Sequence, residues 1–323
     1  MTFTSLHAPD SVGANLHRPE CVLANAHGDL FCADWRGGVT HLHPDGRTTL
    51  YTGTMPDGLQ ARPNGIALLA DGSFLWAQLG DTDGGVYQLR RDGQIRPWLR
   101  EVEGVTLPPS NFVVQDHAGR IWITVSTRLQ PRAAAYRSDV ADGFIVCVPP
   151  NGRAFVAADG LGYTNEVALH PSGRWLYVNE TFARRLSRFA LKADGTLGAR
   201  ETVVVFGSGT FPDGLAFDEA GNAWVVSIVS NRLICVAPDG TCTTHLEDAE
   251  PDHLEWVEAA FQQHAMGRPH LDGIRSQRLR NISSLAFCGP DRRHAVLGCL
   301  LGDHLLRLPM PHPGITPFHW NFR

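Results

Sequence analysis

Residues 212–226 read PDGLAFDEAGNAWVV. A polar residue, Asp213, opens an apolar run, Gly221 marks a turn eight places on, and a second apolar run follows. Val, Leu, Phe and Trp on both sides of a Gly- and Asp-rich turn predict a β-hairpin. The same pattern recurs along the chain. It starts at Glu20 (ECVLANAHGDLFCA, Gly28), Asn64 (NGIALLADGSFLWA, Gly72), Asn111 (NFVVQDHAGRIWIT, Gly119) and Asn165 (NEVALHPSGRWLYV, Gly173). A sixth copy, SSLAFCGPDRRHAVLG from Ser283, has Asp291 where the glycine stands elsewhere.

A second hairpin follows each of the first five copies, as in GGVTHLHPDGRTTLYT and RLICVAPDGTCTTHL. Two hairpins per unit make a four-stranded antiparallel sheet. Six such units predict an all-β chain, a six-bladed β-propeller spanning 1–323 as a single domain. Helical solenoids are disfavoured because helix-period segments are nearly absent. The first strand of each unit should line the central channel. Either Thr2–Leu6 or the tail Pro317–Trp320 is expected to supply the last strand. Insertions at 128–142 and 245–280 interrupt the repeat. In the second, Asp252-His-Leu-Glu255 resembles a helix N-cap box followed by Leu254, Val257 and Phe261 at helical spacing. That helix either covers the channel mouth or packs as a surface decoration.

Composition bounds the function. The chain has 323 residues, 43% hydrophobic and 19% charged, with a formal net charge of −5. No basic block is present, which argues against a nucleic-acid partner. No apolar run approaches the ~18 residues of a membrane span, and the N-terminus lacks a signal-peptide pattern. The seven Cys form no CxxC pair and alternate with apolar residues, as in Leu233-Ile-Cys235-Val. They are expected to be reduced core residues of a cytoplasmic protein.

The repeat phase points to a site. Glu20, Asn64, Asn111, Asn165, Asp213 and Ser283 open strands that are otherwise apolar, and equivalent positions of different blades share a height in the channel. Two carboxylates and three amides are hard oxygen donors suited to one divalent cation. Ca²⁺ fits best, with Mg²⁺, Mn²⁺ or adventitious Zn²⁺ as alternatives. Residues after each second strand should form the pocket wall, among them Trp35, Arg36, Arg128 and Glu180. His41 and His43 share one strand face, the usual pattern of a solvent-facing pair. No GxSxG elbow, Walker loop or GxGxxG appears, which disfavours serine-triad, ATP and dinucleotide chemistry.

Pro19-Glu20, Asn111 after Pro-Ser, Asn165 in TNEVALHPSGRWLYVNET and Pro212-Asp213-Gly214 together resemble the senescence-marker-protein/gluconolactonase/luciferin-regenerating-enzyme (regucalcin-like) family. The resemblance implies a six-bladed fold and one catalytic divalent cation ligated by Glu20, Asn165 and Asp213. Asn111 would contact the ion or its substrate, and Asn64 would line the pocket. The chain departs from the family at Phe112-Val113 and at Glu166, where Asp-Gly and Gly are common. The expected activity is hydrolysis of a small-molecule lactone or ester. The cation would polarise the carbonyl and activate water, with Asp213 as the proton acceptor. A phosphotriesterase-like hydrolase and a non-enzymatic ligand-binding propeller are the alternatives. Oligomeric state is left open.

Overall fold

A computed structural model describes residues 9–273 and 275–323. Six four-stranded antiparallel sheets follow one another around a channel, giving a six-bladed β-propeller. From the channel outward, blade 1 comprises Val22–Ala24, Leu30–Asp34, Gly38–Leu42 and Thr48–Thr52. Blades 2 to 5 repeat that order, with inner strands Pro63–Leu68, Phe112–Gln115, Thr164–Leu169 and Thr210–Phe217. Inner strands of neighbouring blades pack against one another.

The predicted turns form where the glycines stand. Gly28, Gly72, Gly119, Gly173 and Gly221 all have φ between 68° and 85°, a region that costs glycine nothing. A side chain at the turn entrance caps several of them. Asp116 Oδ1 accepts from the backbone N–H of Ala118 and Arg120, both at 2.9 Å, while its Oδ2 accepts from Trp122 Nε1 at 2.9 Å. Asp218 repeats the arrangement with Asn222 and Trp224. Trp76, Trp122 and Trp224 are fully buried on the second strands of blades 2, 3 and 5.

Blade 6 closes the ring by a route the sequence left undecided. Its chain-late strands Ile282–Cys288, His294–Cys299 and Leu305–Pro309 are completed by Asp10–Val12, paired antiparallel to Leu305–Arg307. Thr2–Leu6 lie outside the described residues. Pro317–Trp320 adds no strand. This tail instead crosses the opposite end of the channel, where the carbonyls of Trp320 and Phe322 accept from Ala26 N–H and Asn25 Nδ2.

The predicted helix is present but starts earlier. It spans Pro251–Gln262, with Pro251 in its first turn and no side-chain cap. Proline is well suited there, since its missing N–H would be unpaired anyway, and Asp252 lies inside the first turn rather than capping it. Among the described residues no helix is long and apolar enough to cross a membrane. All seven cysteines are free, five of them buried. Cys235 is half-buried and Cys242 exposed, which corrects the expectation that all belong to the core.

Candidate metal centre at the channel mouth

The inner strands carry an irregularity at the first repeat position. In blades 2, 4 and 5 the register slips by one residue between Pro63 and Ile66, Thr164 and Val167, and Pro212 and Leu215. Blade 6 slips between Ile282 and Ser284. An extra residue in one strand re-aims the side chains beside it. Here it turns polar groups toward the channel at one end of otherwise apolar strands.

Glu20, Asn111, Asn165 and Asp213 line one small cavity of ≈ 40 Å³. The side chains of Asn64 and Ser283 are occupied elsewhere. Asn64 Nδ2 donates to Asn111 O at 2.9 Å, and Ser283 Oγ donates to Glu20 O at 3.0 Å. Both tie neighbouring inner strands together. Gly65 and Gly214 make that approach possible, since a Cβ on either would lie 2.5–2.6 Å from a Cα of the next blade.

The ring is fixed from behind. Asn165 Nδ2 donates to Thr181 Oγ1 at 3.1 Å, and that hydroxyl donates to Pro212 O at 2.9 Å. Asn179 Nδ2 donates to the carbonyls of Asp213 and Gly214, both at 3.0 Å. Committing the amide nitrogen of Asn165 leaves its oxygen as the available acceptor. Asn111 Oδ1, Asn64 Oδ1 and Glu20 Oε2 are buried without a hydrogen-bond partner. Arg18 Nη2 lies 2.8 Å from Glu20 Oε2, an ion pair by distance that lacks hydrogen-bond alignment.

Carboxylates crowd this space. Burial, then the charges of Glu20 and Glu166, push Asp213 well above the usual carboxylate range, against the pull of Arg18 and Asn165. Burial likewise raises Glu166 to about 8, although Leu215 N–H and Ser284 donate to it. Three buried acids with one guanidinium nearby make a site that favours a cation.

The two insertions supply the outer wall. Arg132 and Tyr136 come from the first, Arg268 and Leu271 from the second. Tyr136 stacks on Phe182 at 4.7 Å, Tyr163 meets both rings edge-on, and Phe182 leads through Phe211 to Phe261 of the helix. Arg184 lies over Phe211 and Phe261 and pairs with Glu258 through both nitrogens. The helix packs behind this wall, and none of its residues lines the cavity. Beside it, a broader open hollow of ≈ 610 Å³ shares Arg18 and Leu300 with the inner cavity and includes Trp35.

The predicted wall needs correction. Arg36 folds back onto buried Asp34, with Nε–Oδ1 at 2.9 Å and Nη2–Oδ2 at 2.7 Å. Arg128 is exposed and pairs with Asp159. Glu180 is fully buried and satisfied by Arg185, Ser187 and the Gly162 N–H. None of the three lines the cavity. Strand alternation explains Glu180, because its successor Thr181 is the residue that points in. Trp35 lies one shell out, beneath Arg18 at 4.4 Å, with Nε1 donating to Pro63 O. Sequence reasoning missed Arg18, Arg132, Tyr136, Tyr163 and Arg268. Only Arg18, two places before Glu20, offered a local signal.

A family model for the SMP-30/Gluconolactonase/LRE-like region matches residues 18–251. The chain is 31% identical over 214 residues to the 6-deoxy-6-sulfogluconolactonase of Pseudomonas putida, covering 65% of this chain and 68% of that one. It is 27% identical over 179 residues to a pentonolactonase of Haloferax volcanii, covering 55% and 56%. The crystal structure of the calcium-binding protein regucalcin from Agrobacterium tumefaciens superposes with a TM-score of 0.69 at 18% identity, covering 100% of this chain and 99% of that one. On the extent of the family match, on the fold and on the ring at the channel mouth, the chain belongs to the SMP-30/gluconolactonase/LRE-like family.

Proposed function

We propose that this protein is a metal-dependent lactonase, a hydrolase that opens a lactone ring, with Glu20, Asn165 and Asp213 holding one divalent cation. The observation that carries the reading is the convergence of these residues on one cavity, with Asn111 Oδ1 unpartnered and Glu20 Oε2 held only by the Arg18 ion pair. The two sequence relatives above are lactonases by name, which supports the reaction class.

The donor set fits a hard cation. Two carboxylates match a charge of +2, and neutral amide oxygens complete a ligand group typical of Ca²⁺, Mg²⁺ or Mn²⁺. Ca²⁺ is the favoured ion because its coordination is large and flexible. When bound, the cation supplies Lewis-acid polarisation of a carbonyl oxygen and acidifies water.

The chain's own residues do the rest. Asp213 accepts the proton of the attacking water. Asn165 is held by Thr181 so that its oxygen keeps one orientation. Asn111 presents a free amide oxygen to the substrate. Tyr136, Phe182 and Leu271 keep bulk water from the reacting group. A cavity of ≈ 40 Å³ holds an ion or a water molecule but not a sugar ring. The lactone therefore approaches from the hollow beside Trp35 and Arg18, with the outer wall yielding.

The test is a substrate panel of sugar lactones and organophosphate triesters, run before and after chelation and again after Ca²⁺ is restored. Lactone turnover that disappears on chelation and returns with the ion supports the reading. Undiminished turnover in chelator, or turnover of triesters alone, overturns it.

A further inference from the structure

Blade 1 carries a second group of ligating side chains, outside the channel ring. His41 belongs to the strand Gly38–Leu42 and His43 follows directly, so the two share a face. Asp29 lies in the turn between the first and second strands of the same blade. One ligand atom from each lies within 4.8 Å of the other two. The imidazole centroids are 3.6 Å apart, and His41 Nε2 is 2.8 Å from Asp29 Oδ1. His41 is buried and the other two are half-buried, so this is not the solvent-facing pair that the sequence pattern predicts.

The surroundings hold each group from its far side. His41 Nδ1 is 3.5 Å from Tyr51 Oη, and His43 Nε2 is 3.0 Å from Thr49 Oγ1. Asp29 Oδ2 accepts from Asn25 Nδ2 at 3.0 Å. Asp29 Oδ1 and His41 Nε2 bond to each other at 2.8 Å, and an ion shared with His43 would replace that bond. An oxygen on the non-ligating nitrogen is the usual support of a metal-binding imidazole. Two imidazoles and one carboxylate suit zinc and its neighbours rather than calcium. Arg91 opposes a cation here, since its guanidinium lies 5.3 Å over the Tyr51 ring and donates to Tyr51 Oη at 3.4 Å. Its charge bounds the affinity without occupying the three ligand atoms.

We propose that Asp29, His41 and His43 form a site for one zinc-class divalent cation, separate from the ring at the channel mouth. The ion joins a turn to a strand within blade 1. Asn25, which steadies Asp29, also holds Phe322 O at 2.9 Å, so the ion braces the tail contact as well. The inference stands independently of the lactonase reading.

The experiment uses the chelator-treated full chain in a Glu20→Gln/Asp213→Asn background, which disables the ring. Zn²⁺ is titrated by calorimetry, and Co²⁺ is used as an optical probe of imidazole ligation. One equivalent of Zn²⁺ is expected to bind and to raise the melting temperature. His43→Ala is expected to weaken binding more than about 100-fold and to remove the thermal shift, with Asp29→Asn weakening it less. Absence of binding in the background chain, or unchanged affinity after His43→Ala, overturns the proposal. Should the double variant fail to fold, the otherwise unaltered chain decides. Loss of one Zn²⁺ equivalent on His43→Gln, with circular dichroism preserved, supports the site, and unchanged stoichiometry refutes it.

Discussion

The two ends of the channel are lined by opposite ends of shared inner strands and are chemical opposites. At one end Glu20, Asn111, Asn165 and Asp213 face a cramped polar cavity of ≈ 40 Å³. At the other, Val22, Val167, Leu215 and Leu285 surround a largely apolar chamber of ≈ 170 Å³, closed by Ile315–His319. The difference arises within a few residues of each inner strand, in blades 2, 4, 5 and 6 at a register slip. Buried charge without water is unfavourable, whereas buried apolar surface stabilises. The polar end is thus positioned at a cost in stability, and the apolar end and its tail offset that cost. Glu166 marks the border. A slip lets two successive side chains, Asn165 and Glu166, both face the channel, the first toward the ring and the second into the chamber.

If the ends divide the labour in this way, substitutions should separate activity from stability. The largest effect is expected from Asp213→Ala, which should lower lactone kcat by about 10²–10⁴-fold while circular dichroism stays native. Turnover within a few-fold of the starting protein would erase the functional half of the contrast. Next comes Trp320→Ala in the tail. Trp320 is buried beside Leu16, Ala24 and Cys288, and its truncation should cost about 3–5 kcal/mol in denaturant unfolding. The protein that stays folded should keep its kcat, and a parallel fall in kcat would show that the tail end also serves catalysis.

The smallest effect concerns Glu166. Its folded pKa of about 8 lies above the ordinary 4.5. The folded chain therefore holds a proton that the unfolded chain releases. The stability this group contributes is complete below about pH 4.5 and is lost as pH rises through about 8. In chelator-treated protein, Glu166→Gln should flatten the fall in melting temperature between pH 5 and pH 9. A slope equal to that of the unaltered chain would place the titration elsewhere.

Much of this was legible in the chain. The glycine eight places after five of the six strand-opening polar residues, with Asp291 at that place in the sixth, made the blade count readable, because a left-handed turn joins such strands tightly. The same phase brought Glu20, Asn111, Asn165 and Asp213 to one place. The register slips in blades 2, 4, 5 and 6 leave no trace in composition, so phase alone assigns Asn64 and Ser283 to the ring although they tie neighbouring blades together. Arg36 and Arg128 follow second strands as the wall positions should, but ion pairs with Asp34, two residues away, and with Asp159, far along the chain, hold them off the cavity. Tyr136 and Arg268 belong to insertions with no counterpart in other blades, and repeat phase says nothing about such segments. His41 and His43 needed Asp29, supplied by a turn twelve residues upstream of His41.

The pairing of Asp10–Val12 with Leu305–Arg307 has a consequence for biosynthesis. Asp10–Val12 is synthesised long before Leu305–Arg307 and must wait for it, so closing the ring carries a loop-entropy cost. A nascent chain carries an open sheet edge throughout that interval, the kind of surface that recruits other strands. Fusing a bulky partner directly ahead of Asp10 should therefore impair yield more than attaching the same partner after Arg323.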